Sequence, residues 1–291
     1  MTTAQADNHW YSPARNFRTS ARLHLQHYLF QNTVGYLLEP TVEKGLSSST
    51  RAPRIADIGC GNGVWLTELH SHFAKNNISA QLDGFDINTI NFPDAAHLPG
   101  TIRLRKLDVL ANPMPVELIG IYDVVHIRAF VSILGSDPTP AVAVASKLLK
   151  PGGYLQWEES RASDFIVESP SQAPKTACDT ISNILKSSQA ARGVNYDWVD
   201  SLDTHLDKLG FQNITLLRHE KRKQDLKAWT EDYLLVWEEL AVYLPPKAEV
   251  PDAPLSRDTW IDLFANAVKE TERGVVVHQN AIVTCIGKKA T

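Results

Sequence analysis

Apolar residues in the first half of the chain come in short runs, each closed by glycine or a carboxylate, with helically spaced stretches between them. Ile55, Ala56 and Ile58 form one such run, and Gly59, Gly61 and Gly63 follow it at once. An apolar run bounded by glycines predicts a buried strand entering a tight turn. Val64, Trp65, Leu66 and Leu69 then stand at helical spacing and open a helix. Further strands are predicted at residues 81–88, 102–109 and 121–128. Residues 147–159 read as a helix end, a Pro151-Gly152-Gly153 turn and a fifth strand. Between Asp86 and Ile102, Pro93, Pro99 and Gly100 shorten the expected helix or replace it by loop. Strands alternating with helices predict an α/β fold with a doubly wound, mostly parallel sheet.

The flanking segments are predicted to be helical. Leu23, Leu25, Tyr28, Leu29, Val34, Leu37 and Leu38 supply an apolar face for one or two helices, which Pro40 is expected to stop. Residues 45–50 then read as a linker. A polar stretch at 169–174 leads to helices near 178–187 and 198–209, the second ended by Gly210. Residues 211–217 read as a strand. Leu226, Trp229, Tyr233, Trp237 and Leu240 mark a helix within 225–243, and 259–269 form another. Residues 274–277 and 281–287 close the chain, the latter as a strand. The expected division is an N-terminal helical segment (1–50), a core (51–160) and a C-terminal half of the sheet (161–291) with a helical insertion at 222–273. The N-terminal and inserted helices are expected to form a lid.

The glycine turn is a ligand-binding feature, because glycines let the backbone approach a ligand more closely than any side chain permits. Its spacing is Gly-x-Gly-x-Gly, and Val64 stands where a dinucleotide fingerprint has its third glycine. Asp57 precedes the turn, where a carboxylate would repel a pyrophosphate and suit an ammonium or sulfonium cation. Asp86 follows Gly63 by 23 positions, close to the offset of roughly 20 at which an acidic residue holds a ribose. Asp108, at the end of the third strand, could accept from an adenine amino group.

Together, Asp57-Ile-Gly59-Cys-Gly61-Asn-Gly63, Asp86, Asp108, Tyr122-Asp123-Val124-Val125 and Leu149-Lys150-Pro151-Gly152-Gly153-Tyr154 resemble the motifs of class I S-adenosylmethionine-dependent methyltransferases. The resemblance spans roughly residues 50–160. Gln156-Trp157-Glu158-Glu159 and Arg22-Leu23-His24-Leu25-Gln26-His27-Tyr28 are similar to stretches of fungal secondary-metabolite methyltransferases. The resemblance implies a seven-stranded Rossmann-like sheet and S-adenosylmethionine as cofactor. It places Asp57, Gly59, Cys60, Gly61, Asp86, Ile87, Asp108, Val109, His126 and Arg128 around that cofactor. A leading helical segment often covers the cofactor in this family, so Arg15, Arg22, His27 and Tyr28 could reach the methionine carboxylate. The family's closing antiparallel strand pair is expected from the two C-terminal apolar runs.

Methyl transfer from a sulfonium is an in-line displacement with a neutral leaving group, so it demands alignment and exclusion of water rather than an electrophilic metal. A hydroxyl, amine or thiol nucleophile needs its proton removed. Candidate bases at the C-terminal edge of the sheet are His126 after the fourth strand and Glu158 or Glu159 after the fifth. Trp157, Tyr233 and Trp237 are expected to wall a flat aromatic or polyketide-like substrate. The same cofactor motifs also suit an enzyme that transfers no methyl and uses the sulfonium charge to promote a dehydration or pericyclic rearrangement. A regulatory methyltransferase-like protein is a further alternative.

Composition narrows the partners. The formal net charge of −4 and the absence of a broad basic run argue against a nucleic-acid binder. His219-Glu220-Lys221-Arg222-Lys223 reads as a solvated turn. Cys60, Cys178 and Cys285 lack metal-ligand spacing and read as small core residues. The N-terminal residues lack the basic start and apolar run of a signal peptide, and no apolar stretch reaches the ~20 residues that span a bilayer. The expectation is therefore a cytoplasmic monomer or homodimer acting on a small molecule, without metal, nucleic acid or membrane.

Overall fold

Strand β1 (Arg54–Ile58) is buried from Ile55 to Ile58 because both of its faces are covered. The computed structural model describes residues 16–47, 51–111, 113–162, 164–251 and 253–291. On one face, Ile55 packs with Leu66, Leu69 and Phe73 of α3 (Val64–Lys75). On the other, Ala56 and Ile58 pack with Val142, Ala145 and Leu148 of α5 (Thr139–Leu148) and with Leu202 and Leu206 of α7 (Leu202–Lys208). This alternation along one strand makes the fold three-layered, with helices on both faces of a central sheet.

The sheet has seven strands in the order β3-β2-β1-β4-β5-β9-β7. Strands β2 (Gln81–Asp86), β3 (Ile102–Lys106), β4 (Tyr122–Arg128) and β5 (Leu149–Glu159) run parallel with β1. The chain winds outward from β1 to β3, then returns to place β4 on the other side of β1. That reversal opens a crevice beyond the C-terminal ends of β1 and β4, the usual ligand position in open α/β sheets. Asp57 stands directly opposite His126 across this junction. As expected from the prolines and glycine, only a single 3-10 turn (Ala95–His97) occupies the segment between β2 and β3.

The structure corrects three expectations. Pro40 does not stop a helix but starts one: α1 (Phe17–Val34) ends at left-handed Gly35, and α2 (Pro40–Ser47) begins with the proline. Proline suits that first turn, where its missing N–H would have no partner. Residues 45–47, expected in a linker, are thus helical, and 48–50 lie outside the described residues. The closing strand pair is also different. Strand β9 (Ile282–Lys289) inserts antiparallel between β5 and β7 (Phe211–His219), so β7 is its partner at the sheet edge. Strand β8 (Val276–Gln279) leaves the main sheet and pairs with β6 (Phe165–Glu168), a strand the polar sequence around it concealed.

Helices α6 (Thr176–Ala191), α8 (Leu226–Glu239) and α9 (Arg257–Glu272) join β6, β8 and α1 in a separate apolar cluster. Trp229, Trp237 and Trp260 are buried at its centre. Four-residue α4 (Val131–Leu134) follows β4. No helix of the described residues is long and apolar enough to cross a membrane.

Gly84 is the tightest point of β2, since an added Cβ would meet Leu104 at 2.6 Å, Leu66 at 2.8 Å and the Cys60 sulfur at 2.9 Å. Gly84→Ala is therefore expected to lower unfolding free energy by about 1–3 kcal/mol through overpacking, measured by denaturant titration. An unchanged midpoint would show that the three neighbours yield freely.

Candidate functional site

Directly after Ile58 the backbone turns through Gly59, Gly61 and Gly63, all left-handed with φ of 68°, 60° and 75°. Side chains from two other segments occupy the space their missing Cβ atoms leave. A Cβ on Gly59 would lie 2.7 Å from the Phe130 ring, and one on Gly61 would lie 3.0 Å from Leu23 of α1. The N–H groups of Gly59 and Cys60 donate to the Phe85 carbonyl at 2.8 and 3.0 Å. Asp86 is fixed at both oxygens: Oδ2 accepts the Gly61 N–H and Oδ1 the Asn88 N–H, each at 3.0 Å. Helix α1 is tied to the turn by Asn62, whose Nδ2 donates to the Ser20 carbonyl at 3.2 Å.

A cavity of about 270 Å³ lies between this turn, the ends of β4 and β5, and helices α1, α6 and α8. A row of buried ionisable groups crosses its floor. His126 Nδ1 lies 2.7 Å from Asp57 Oδ1, and its ring stacks on Trp65 with centroids 3.7 Å apart. Among the described residues its Nε2 has no hydrogen-bond partner, and it lies 3.8 Å from Glu158. Arg128 donates to Glu158 through Nε at 2.6 Å and pairs with it again through Nη2. Burial opposes ionisation of Glu158, but Arg128 and His126 overcome it and hold the carboxyl down at about 2. Arg128 Nη1 also lies 3.1 Å from His27 Nδ1. A guanidinium only donates, so Nδ1 accepts and the His27 proton sits on Nε2. Burial and the neighbouring Arg128 pull His27 down to about 3.

Glu159, one residue on, behaves differently. It lines the cavity, and burial pushes its carboxyl up to about 7 against four N–H groups that favour the charged form. Ion pairs hold α1 against α8: Glu239 accepts from Arg22 Nε and Nη2, both at 3.3 Å, and from Thr19 Oγ1 at 3.0 Å. Arg18 pairs with Glu238 at 2.7 Å.

Among the residues singled out from sequence, Asp57, Gly59, Cys60, Gly61, His126, Arg128, Tyr233 and Trp237 line this cavity, as do Arg22 and His27. Others lie elsewhere. Tyr28 is exposed and donates to Glu68 at 3.2 Å. Asp86 borders the glycine turn but not the cavity, and Ile87 beside it is half exposed. Asp108 is exposed and accepts the Leu110 N–H at 3.0 Å, while Val109 is in the core. Trp157 is no substrate wall: it does not line the cavity but packs against Trp198 and donates to Glu159 at 3.2 Å. Glu158 is no free base, since it is spent on Arg128 and does not line the cavity. Arg15 lies outside the described residues.

Sequence reasoning missed Phe30, Tyr196 and Gln279, which reach the cavity from three separate elements. Nothing in their local patterns marks them. It also misread Lys221, expected in a solvated turn. Its ammonium lies 4.3 Å over the Trp229 ring and donates to Tyr233 Oη at 3.1 Å and the Gln279 carbonyl at 3.0 Å. Burial lowers it to about 7.

Removing Arg128 would leave Glu158 buried without its cation. Arg128→Ala is expected to cost about 3–5 kcal/mol of stability at neutral pH. The sign of the pH dependence follows from the depressed Glu158 value. In the native protein the pairing contributes fully above the ordinary carboxylate range and is lost only as pH falls toward about 2. In the variant the unpaired carboxyl takes up a proton more readily, so the deficit shrinks on acidification. Denaturant titrations of both proteins across pH would show this, and a deficit independent of pH would refute it.

A methyltransferase-domain family model matches residues 24–216. Methyltransferase grgD of a Penicillium species is 32% identical over 156 residues, 52% of this chain and 52% of that protein. Methyltransferase psoC of Aspergillus fumigatus is 32% identical over 120 residues, 40% of this chain and 41% of that protein. The matched region thus spans about half the length of these relatives or less. A phosphoethanolamine N-methyltransferase 2 of Haemonchus contortus, solved with S-adenosyl-L-methionine, aligns over 96% of this chain and 61% of its own, at 13% identity and TM-score 0.48. That likeness is too distant to speak to substrate. With the glycine turn and strands β1 to β5 all inside the family match, the chain belongs to the methyltransferase-domain family, in the class I fold that uses S-adenosylmethionine.

Proposed function

We propose that the chain transfers a methyl group from S-adenosylmethionine to an oxygen, nitrogen or sulfur nucleophile of a small-molecule secondary metabolite. The observation that carries this reading is that one cavity joins the glycine turn to an aromatic lid, so cofactor and substrate would meet in a single cleft. The residues present fit the cofactor. The glycines of the turn keep its backbone at the cavity wall, and Asp86 is held beside it by the Gly61 and Asn88 N–H groups as a carboxylate of the kind that accepts ribose hydroxyls. Asp57 supplies the carboxylate that suits a cationic ligand, and its bond to His126 fixes its orientation.

When bound, the cofactor supplies an electrophilic methyl group on a sulfonium. The protein's part is alignment and the exclusion of water. Phe30, Trp229, Tyr233 and Trp237 give the substrate broad, rigid aromatic contact. The Arg22–Glu239 latch holds α1 against α8 over the cavity. His126 is braced by Asp57 and Trp65, so it presents a fixed wall beside the reacting atoms.

Incubating the purified protein with S-adenosylmethionine carrying a labelled methyl group and a fungal metabolite extract tests the reading. Label in a small molecule, with S-adenosylhomocysteine formed in step, is the expected result. Cofactor consumption without label transfer, or an unlabelled metabolite changing structure, would overturn it. Asp86→Ala is expected to weaken S-adenosylmethionine binding about 10-fold or more, because charge-assisted bonds to the ribose are lost. Calorimetry on a folded variant with unchanged affinity would remove Asp86 from the site.

A further inference from the structure

Glu159 ends β5 at the cavity wall and is 1% exposed. Its Oε2 accepts the N–H groups of Phe130 at 2.7 Å and Val131 at 2.9 Å, and Trp157 Nε1–H at 3.2 Å. Among the described residues its Oε1 accepts only the Ser160 N–H, at 3.1 Å, which leaves that oxygen capacity for another donor. Among the described residues Glu159 has no ion-pair partner, in contrast to Glu158, whose charge is spent on Arg128. The ionisable groups around it are themselves committed or apolar in effect. Tyr196 is raised by burial, Tyr233 donates to Gln279 at 3.0 Å, and Arg161 is paired with Asp164, Asp197 and Asp200. On the lid side Arg22 is bonded to Glu239, and at the end of β4 Arg128 is bonded to Glu158. A rigidly held carboxylate without a cation, facing an aromatic cavity, is placed to receive a proton rather than to bind a charge.

We propose that Glu159 is the proton acceptor of the reaction and that the chain methylates acidic hydroxyls, those of phenols and enols, on flat aromatic substrates. This rests on the methyl-transfer reading above. The substrate O–H bond breaks and its proton moves to Glu159 Oε1. The oxygen electron pair forms the new O–C bond, and the C–S pair returns to sulfur. Sulfonium and carboxylate enter, thioether and carboxylic acid leave, and the proton passes to solvent before the next turnover. The substrate class follows from the cavity, whose Phe30, Trp229 and Trp237 lining fits a flat ring beside the Glu159 carboxylate, and the strength of the base agrees with it. Glu159 is raised to about 7 by burial, and a phenol such as that of tyrosine ionises near about 10. That gap is small enough for proton transfer in the transition state, whereas an aliphatic alcohol is far too weak an acid. The walls of Trp229, Trp237 and Phe30 select the ring that carries such a hydroxyl.

The test uses the whole protein, methyl-labelled S-adenosylmethionine and two probes of matched shape, 2-naphthol and 2-naphthylmethanol. The expected result is methylation of 2-naphthol at a kcat/KM roughly 10-fold or more above that of 2-naphthylmethanol, with an acid limb in the pH–rate profile near neutrality. Glu159→Gln is expected to lower kcat about 100-fold or more and abolish that limb, while S-adenosylhomocysteine affinity and Tm stay close to the original. Glu159→Asp, which keeps a carboxylate, should retain the limb at reduced rate and covers the case in which the glutamine variant fails to fold. If Glu159 merely holds the 129–131 loop, cofactor affinity and Tm would fall along with turnover and the limb would persist, which overturns the proposal. Equal rates on the two probes, or a wild-type protein that binds S-adenosylhomocysteine and methylates neither, would overturn the substrate class. A protein that binds no cofactor would instead sink the methyl-transfer reading itself.

Discussion

The C-terminal edge of the sheet is organised by a turn in which every second residue, Gly59, Gly61 and Gly63, lacks a side chain. Gly59, Gly61 and Gly63 adopt left-handed backbone that L-residues with a Cβ enter only under strain. The vacated space is then filled from outside, by Phe130 over Gly59 and by Leu23 over Gly61. Two structures seat on the turn as a result: the loop after β4 and the N-terminal helix α1. Asp86 locks the same turn from the β2 side through the Gly61 N–H. A bulky residue at any of these positions would move the lid, the loop and the carboxylate together.

Around that turn the protein buries charge, which is costly unless it is paired. The pairing runs across three neighbouring strands, from Asp57 on β1 to His126 and Arg128 on β4 and Glu158 on β5, and reaches His27 on α1. Because the groups come from adjacent strands in register, their spacing is set by the sheet rather than by loops. Such a site is rigid before any ligand arrives, as preorganised sites require. Glu159 stands outside this row, satisfied by N–H groups alone. Two adjacent glutamates thereby hold opposite protonation tendencies, one pulled down to about 2 and the other pushed up to about 7. Enzymes separate acid, base and structural roles by such differences in environment.

The lid has its own core. Trp229, Trp237 and Trp260 pack with α1, α6 and β8 in a cluster apart from the two that cover the sheet. Its contact with the site is made through single side chains, including Tyr233 and Gln279, which are braced by the ammonium of Lys221. The aromatic end of the cavity is therefore built largely by α6, α8 and β8, with α1 alone linking this cluster to the glycine turn. This separation suits a family in which one cofactor serves many acceptors.

Local pattern was enough to read β1 to β5, the glycine turn, the strand-end positions of Asp57 and Asp86, and the helices α1, α8 and α9, because each is encoded by neighbours along the chain: apolar runs, glycine spacing and a carboxylate at a strand end. Family membership followed from the same residues. What local pattern could not supply is orientation and partnership. Adjacent residues on a strand point to opposite faces, so Glu158 and Glu159 look alike in sequence until the packing shows one against Arg128 and the other at the cavity. Trp157 and Trp237 are likewise two tryptophans of similar promise, and only the distant Trp198 and the cavity wall separate core from lining. The pairing of β8 with β6 and the burial of Lys221 depend on segments far away in the chain. Sequence determined the elements and the chemistry available at their ends, and tertiary structure decided which of those groups face one another, because burial and pairing are properties of contacts rather than of residues.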